Sequence, residues 1–160
     1  MGAADRHVTA APAQTERIAA ELAAELRAGD VVLISGELGA GKTTWVRGAL
    51  RALGVTQRVT SPTFTIARRY EDGRVPVSHL DLYRLAGSVG EDPAILIEEI
   101  GPERITFVEW PEAHQSVLAG VPIAARVRLE HAGGDRRAVS VERDPGRALA
   151  PLAATPEPGP

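Results

Sequence analysis

The chain has 160 residues, of which 44% are hydrophobic, a formal net charge of −3 and no cysteine. This length favours one domain, the lack of cysteine excludes disulfides and thiolate metal sites, and the negative charge argues against independent nucleic-acid binding, which needs a basic surface. No apolar run approaches the roughly 20 residues of a membrane span, and the N-terminus lacks the basic start and apolar core of a signal peptide. We therefore expect a cytoplasmic protein without a membrane-spanning segment.

The composition of the chain changes near both ends. Residues 1–13 are rich in Ala and Pro, and residues 144–160 are rich in Pro and Ala, so we predict a mobile N-terminal tail and a disordered C-terminal tail. The folded domain should then span residues 14–143. At its start, the spacing of Ile18, Leu22 and Leu26 predicts a helix over residues 15–26, with Thr15 as its N-cap.

A phosphate-binding loop follows the first predicted strand. Residues 31–34 form the continuous apolar run of a strand buried on both faces, and residues 36–44, GELGAGKTT, match the pattern G-x-x-x-x-G-K-[ST]. A helix is predicted from residue 42 to residue 53, where Gly54 ends it. Lys42 in this loop is the only lysine of the chain, since the other basic residues are arginines. A strand, a Gly-rich loop and a helix in this order are the context that a phosphate-binding loop requires.

The remaining elements complete an α/β pattern. Asp72-Gly73 predicts a hairpin turn and Gly133-Gly134 predicts a second one. The predicted strands lie at residues 58–69, 75–80, 105–108, 124–130 and 137–142, with a helix at residues 91–100. We therefore predict a three-layer fold like that of P-loop NTPases, with a mainly parallel central sheet and antiparallel hairpin additions.

The loop indicates a site that binds the phosphates of a nucleotide. Its backbone N–H groups would surround the phosphates, Lys42 would neutralise the β- and γ-phosphate oxygens, Thr43 would bind Mg²⁺, and Thr44 would contact the α-phosphate. Such sites need a carboxylate at the end of a neighbouring strand. Glu109 is the stronger candidate because its strand is more hydrophobic, while Asp81 could orient or deprotonate the attacking water.

Several nearby residues have two interpretations. Ser61 and Thr63 could sense the γ-phosphate, as switch segments do, or form an ordinary Ser-Pro turn. His79 alternates with Asp81 on one strand face and so could neighbour it, although a lone His is more often structural. Trp110 could line the site or fill the core.

Four sequence blocks together resemble one family. They are GELGAGKTT at residues 36–44, SPTFT at 61–65, HLDLYRL at 79–85 and VEWPE at 108–112. In this order they are similar to the bacterial tRNA threonylcarbamoyladenosine biosynthesis ATPases of the TsaE family, over residues 15 to 143.

The resemblance implies a small Mg²⁺-dependent ATPase that is weak alone and supports turnover of the partner proteins TsaD and TsaB. These partners transfer a threonylcarbamoyl group to adenosine 37 of tRNAs that read codons beginning with A, so tRNA contact would be indirect. The implied catalytic residues are Lys42, Asp81 and Glu109, with Thr43 and Glu109 serving the metal. The residues implied at the nucleotide are Thr15, Glu37, Leu38, Gly39, Ala40, Gly41, Lys42, Thr43, Thr44, Ser61, Thr63 and Arg137.

Two features depart from the family pattern, and two other functions stay open. The segment after Leu85 places its glutamates, Glu98 and Glu99, later than expected, and the Pro-rich C-terminal tail has no counterpart. A small P-loop metabolite kinase is the alternative, although no Arg-rich lid insertion is evident. A nucleotide-dependent binding module, in which hydrolysis is incidental, is the third interpretation.

Overall fold

A computed structural model describes residues 3–60, 67–83 and 97–145. The strands are Asp5–Thr9 (β1), Val31–Gly36 (β2), Ala67–Tyr70 (β3), Val77–Asp81 (β4), Ile105–Glu109 (β5), Ala125–His131 (β6) and Arg137–Arg143 (β7). The helices are Pro12–Ala23 (α1), Lys42–Ala52 (α2) and the short Gln115–Leu118 (α3), which follows a 3-10 helix at Pro111–His114. No helix within the described ranges is long and apolar enough to cross a membrane.

The described strands form one mixed sheet in the order β1-β7-β6-β2-β5-β4-β3. The central strands β6, β2, β5 and β4 are parallel to one another, while β3 pairs antiparallel with β4, and β7 pairs antiparallel with β6. This arrangement confirms the predicted α/β fold with a mainly parallel centre and antiparallel hairpin additions. Because β2 and β5 are adjacent and parallel, the loop after β2 and the end of β5 lie at the same edge of the sheet.

Both faces of the central sheet are buried, as the apolar run of β2 predicted. Val32 and Ile34 belong to the main hydrophobic core, on the side where α1 and α2 pack, whereas Val31 and Leu33 belong to a smaller cluster on the opposite face. The helix α2 buries Trp45, whose ring meets Phe107 edge-on with the centroids 6.0 Å apart. These contacts fix α2, and therefore the phosphate loop before it, against β5.

The two helices approach each other closely at one glycine. A Cβ on Gly48 would lie 2.4 Å from Cα of Glu16, so only a residue without a side chain allows α2 to pass this close to α1. The close contact positions the start of α1 beside the first turns of α2.

The structure corrects two predictions at the N-terminus. Asp5–Thr9 is not part of a tail but forms β1, an edge strand that pairs antiparallel with β7. Thr15 is not an N-cap, because α1 begins at Pro12 after Ala11 and ends at Ala23. Proline at the first turn of a helix is favourable since its missing N–H would have no partner there. The Thr15 hydroxyl instead forms a buried hydrogen bond with the Thr9 hydroxyl, at 2.9 Å.

Other predicted boundaries differ from those in the structure by a few residues or lie outside the described ranges. The strand predicted at residues 75–80 begins only at Val77, after Pro76, which has no N–H to donate. Of the helix predicted at residues 91–100, residues 97–99 are helical, and residues 91–96 lie outside the described residues. The C-terminal tail from residue 146 onwards, together with Ser61 and Thr63, lies outside them as well.

Candidate functional site

The loop between β2 and α2 has the backbone that a phosphate-binding loop needs. Gly41, directly before α2, adopts φ 100°, a left-handed conformation that favours glycine. A Cβ on Gly36 would lie 2.5 Å from the carbonyl oxygen of Leu129, so this position also has no room for a side chain. The helix α2 begins directly after Gly41, and the N–H groups and dipole of a helix N-terminus favour an anion there.

The Lys42 ammonium group lies inside the loop. Its Nζ donates hydrogen bonds to the carbonyl oxygens of Gly36 at 2.7 Å and Glu37 at 2.9 Å, and it lies 4.2 Å from the ring centroid of Trp110. The residue is only 5% exposed. Burial lowers the pKa of Lys42, and the nearby charges of Glu109, Asp81 and Glu112 oppose this shift. The ammonium is therefore partly desolvated and surrounded by acceptors.

Two carboxylates face each other at the ends of β4 and β5. Asp81 and Glu109 are register partners across this parallel pair, and Glu109 Oε1 accepts a long hydrogen bond of 3.5 Å from the Thr43 hydroxyl. Burial raises the pKa of Asp81. The backbone N–H of Tyr83 donates a hydrogen bond to Asp81 Oδ1 and lowers this pKa, whereas the nearby charge of Glu109 raises it. The structure therefore places Glu109 beside Thr43, and both carboxylates near enough to Lys42 for their charges to act on its ammonium group.

His79 contacts Glu109 rather than Asp81. Its Nε2 lies 2.5 Å from Oε2 of Glu109, with side chains 0% and 2% exposed. The alternation along β4 does place His79 on the same sheet face as Asp81, as predicted. The contact with Glu109 could not be predicted from the sequence, because it joins residues on two strands that are 30 positions apart in the chain.

Trp110 lines the site. It follows Glu109 directly and adopts φ 58° and ψ 50°, a left-handed conformation that is rare for a bulky residue. Its ring packs on Tyr83, with centroids 4.8 Å apart, and reaches over Lys42. The sequence left open whether this ring belonged to the core or to the site, and the structure places it beside Lys42 while it also packs against the smaller hydrophobic cluster.

The β6–β7 hairpin closes the other side of the loop. Arg137 donates a hydrogen bond to the Gly39 carbonyl at 3.3 Å, and His131 Nε2 lies 3.3 Å from the Leu38 carbonyl. A cleft of about 740 Å³ extends from the loop between His131 and Trp110. Arg137 was expected near the nucleotide, whereas His131 was missed, because only the strand pairing of β6 with β2 brings it here.

The other candidate residues have varied positions. Ala40 is buried and its N–H bonds to the Glu37 carbonyl at 3.0 Å, whereas the Glu37 and Leu38 side chains are exposed. Thr44 lies in the first turn of α2. Thr15 is 3% exposed at the start of α1, where it bonds to Thr9.

The residues present fit a magnesium ion that is held jointly by protein and phosphate. Within the described ranges no group of three or more His, Asp or Glu residues forms a dedicated metal cage. Mg²⁺ instead commonly uses one or two carboxylates together with substrate phosphates and water. The Thr43 hydroxyl and the Glu109 carboxylate, 3.5 Å apart beside the helix N-terminus, supply this kind of donor set.

The fold and this loop geometry define an α/β protein of the P-loop type. Residues 9–139 match the family model described as threonylcarbamoyl adenosine biosynthesis protein TsaE. The chain belongs to the TsaE family, whose role lies in tRNA threonylcarbamoyladenosine biosynthesis.

Individual relatives agree with this assignment. The chain is 37% identical to a tRNA threonylcarbamoyladenosine biosynthesis protein TsaE from Bacillus subtilis, over 82% of this chain and 81% of that protein. It is 44% identical to the protein of the same name from Streptomyces coelicolor, over 71% of this chain and 77% of that one. The crystal structure of Bacillus subtilis YdiB superposes with a TM-score of 0.75 at 30% identity, covering 93% of this chain and 92% of YdiB.

Proposed function

We propose that this protein binds and hydrolyses ATP with Mg²⁺, and that hydrolysis supports the TsaD–TsaB complex as it threonylcarbamoylates adenosine 37 of tRNA. The observation that carries the proposal is the convergence of Lys42, Thr43, Asp81 and Glu109 at one edge of the sheet. Family membership supports the tRNA pathway, and this cluster supports the nucleotide chemistry.

The loop and the helix would bind the phosphates. Backbone N–H groups of the loop, other than that of Ala40, which donates to the Glu37 carbonyl, and the N-terminus of α2 would meet the negative charge. Lys42 would exchange its contacts with the Gly36 and Glu37 carbonyls for the β- and γ-phosphate oxygens. Because the ammonium is already partly desolvated, little further dehydration opposes this exchange.

The carboxylates would have separate roles. Thr43 and Glu109 would hold the metal ion, which supplies charge neutralisation to the phosphates when bound. Asp81 would orient or deprotonate the attacking water, and its raised pKa suits a group that accepts a proton. Arg137 and His131, on the hairpin beside the loop, would border the base or ribose.

A genetic experiment tests the pathway. Depleting the protein in its own host should lower threonylcarbamoyladenosine in bulk tRNA, and the wild-type chain should restore it while Lys42→Ala should not. Unchanged modification after depletion would contradict the proposed role.

A biochemical experiment separates the proposal from the alternatives. We expect phosphate release without any acceptor, stimulated by TsaD and TsaB. Transfer of labelled γ-phosphate to a small molecule would instead favour the metabolite kinase. A binding module would show nucleotide-dependent partner affinity that persists in Asp81→Asn.

A further inference from the structure

His79 occupies a central position on a buried strand beside the candidate metal ligand. It is the register partner of Phe107 on β5, and Glu109 lies two residues further along the same strand and face. Diagonal neighbours across a strand pair are within reach of long side chains. The imidazole spans this diagonal, with Nε2 at 2.5 Å from Oε2 of Glu109.

The two oxygens of Glu109 have different partners. Oε2 contacts His79, and Oε1 faces the Thr43 hydroxyl at 3.5 Å. The terminal torsion of a glutamate is broad, so an unrestrained carboxylate would sample many orientations. A hydrogen bond from the imidazole to one oxygen fixes this torsion and thereby directs the other oxygen to Thr43.

Toward β5 the neighbours of His79 that precede Glu109 are apolar, whereas Asp81 follows on its own strand face and the exposed Arg68 is its register partner on β3. Val77, Ile105 and Phe107 share its sheet face and are fully buried. Its second ring nitrogen, Nδ1, is buried and has no hydrogen-bond partner within the described part of the chain. The only hydrogen bond described for the ring is the one to Glu109.

We propose that His79 is a positioning residue that orients Glu109 toward Thr43 and so sets the affinity of the site for magnesium. The inference rests on the proposed function, since it assigns a role in the same nucleotide site. Partners that orient a metal-binding side chain typically change metal affinity by about 10–100-fold when they are removed.

The test measures binding of a non-hydrolysable ATP analogue over a Mg²⁺ series and in EDTA. In His79→Asn the shorter amide cannot reach Glu109, so the Mg²⁺ concentration at half-maximal effect should rise by about 10-fold or more, while affinity in EDTA stays at the wild-type value. In His79→Gln the amide nitrogen lies near the position of Nε2 and can still donate, so most of the Mg²⁺ dependence should be restored.

Two controls separate positioning from stability. Val77→Ala, on the same strand and face, should lower the melting temperature without moving the Mg²⁺ midpoint. Adding His79→Asn to Glu109→Gln should leave the midpoint of Glu109→Gln unchanged, because the residue through which His79 acts is already altered.

Each outcome decides the inference. It is overturned if His79→Asn keeps the wild-type midpoint, or if His79→Gln raises the midpoint as much as His79→Asn does. If His79→Asn does not fold, the result for His79→Gln decides, because a large rise in that variant contradicts the proposal. If the affinity of the wild-type protein for the analogue does not depend on Mg²⁺, the proposed function is overturned as well. This result distinguishes failure of the proposed function from failure of the inference about His79 alone.

Discussion

Replacing Lys42 with arginine tests whether the loop selects an ammonium group. Two carbonyl oxygens, of Gly36 and Glu37, hold Nζ at 2.7 and 2.9 Å, and the residue is 5% exposed. A guanidinium carries five N–H donors on a wide planar group. At most a few of these donors could find acceptors in the same space, and the others would be buried without partners.

The expected effect of Lys42→Arg is close to complete loss of hydrolysis. Removing one charge-stabilising donor from a transition state costs about 10²–10³-fold in rate, or roughly 2.7–4 kcal/mol. The arginine keeps the positive charge, so a loss of this size would be due to geometry rather than to net charge.

Phosphate release with the partner proteins present measures this effect, alongside ATP affinity. Lys42→Met is the matched variant without charge, and both substitutions should lower the rate by a similar factor. Near-normal hydrolysis by Lys42→Arg would refute the reasoning, because it would show that the loop accommodates a guanidinium in the position of the ammonium.

Three further predictions concern other parts of the structure. Glu109→Gln should raise the Mg²⁺ requirement for nucleotide binding more than it lowers affinity in EDTA, and unchanged Mg²⁺ titration would exclude this carboxylate as the metal-linked group. Gly48→Ala should lower the melting temperature in a thermal scan, because its Cβ would lie 2.4 Å from Cα of Glu16. We expect a cost of about 1–3 kcal/mol from overpacking, whereas Arg47→Ala, which removes a half-buried ion pair with Glu16 at 3.8 Å, should change stability by less than about 1 kcal/mol. Amine-directed labelling of side chains should report Lys42 alone, since the chain has no other lysine, and ATP should protect against it. Because burial lowers the pKa of Lys42, its labelling rate should reach half-maximum at a pH below 10.5, and a midpoint at or above that pH would contradict the assigned environment.

Much of the central fold could be predicted because its signals are local. The apolar run of β2, the glycines of the loop and the start of α2 are adjacent in the chain, so one short pattern contains the whole strand-loop-helix unit. The two hairpins were also predicted, since each turn is encoded by two adjacent residues, such as Asp72-Gly73. The adjacent positions of Asp81 and Glu109 could be predicted because the carboxyl ends of parallel neighbours meet at one edge of a sheet.

The first strand shows why other elements could not be predicted. Residues 5–9 are mostly exposed and carry little apolar pattern, so nothing local indicates a strand. The strand exists because β7 offers an unpaired edge with which its backbone groups can pair. The start of α1 was misjudged for a related reason, since the Thr15 hydroxyl bonds to Thr9 of that same strand instead of capping the helix.

Residue types and spacing were enough to predict the type of site: a single lysine in a glycine-rich loop, a hydroxyl beside it and two carboxylates at strand ends. Which groups touch depends on the packing of the strands. It set Trp110 over Lys42 through a left-handed turn, paired His79 with Glu109 across two strands, and brought Arg137 to the Gly39 carbonyl. The physical reason is that residue types and spacing encode local conformation, whereas these contacts join segments far apart in the chain, whose distances only the packed sheet fixes.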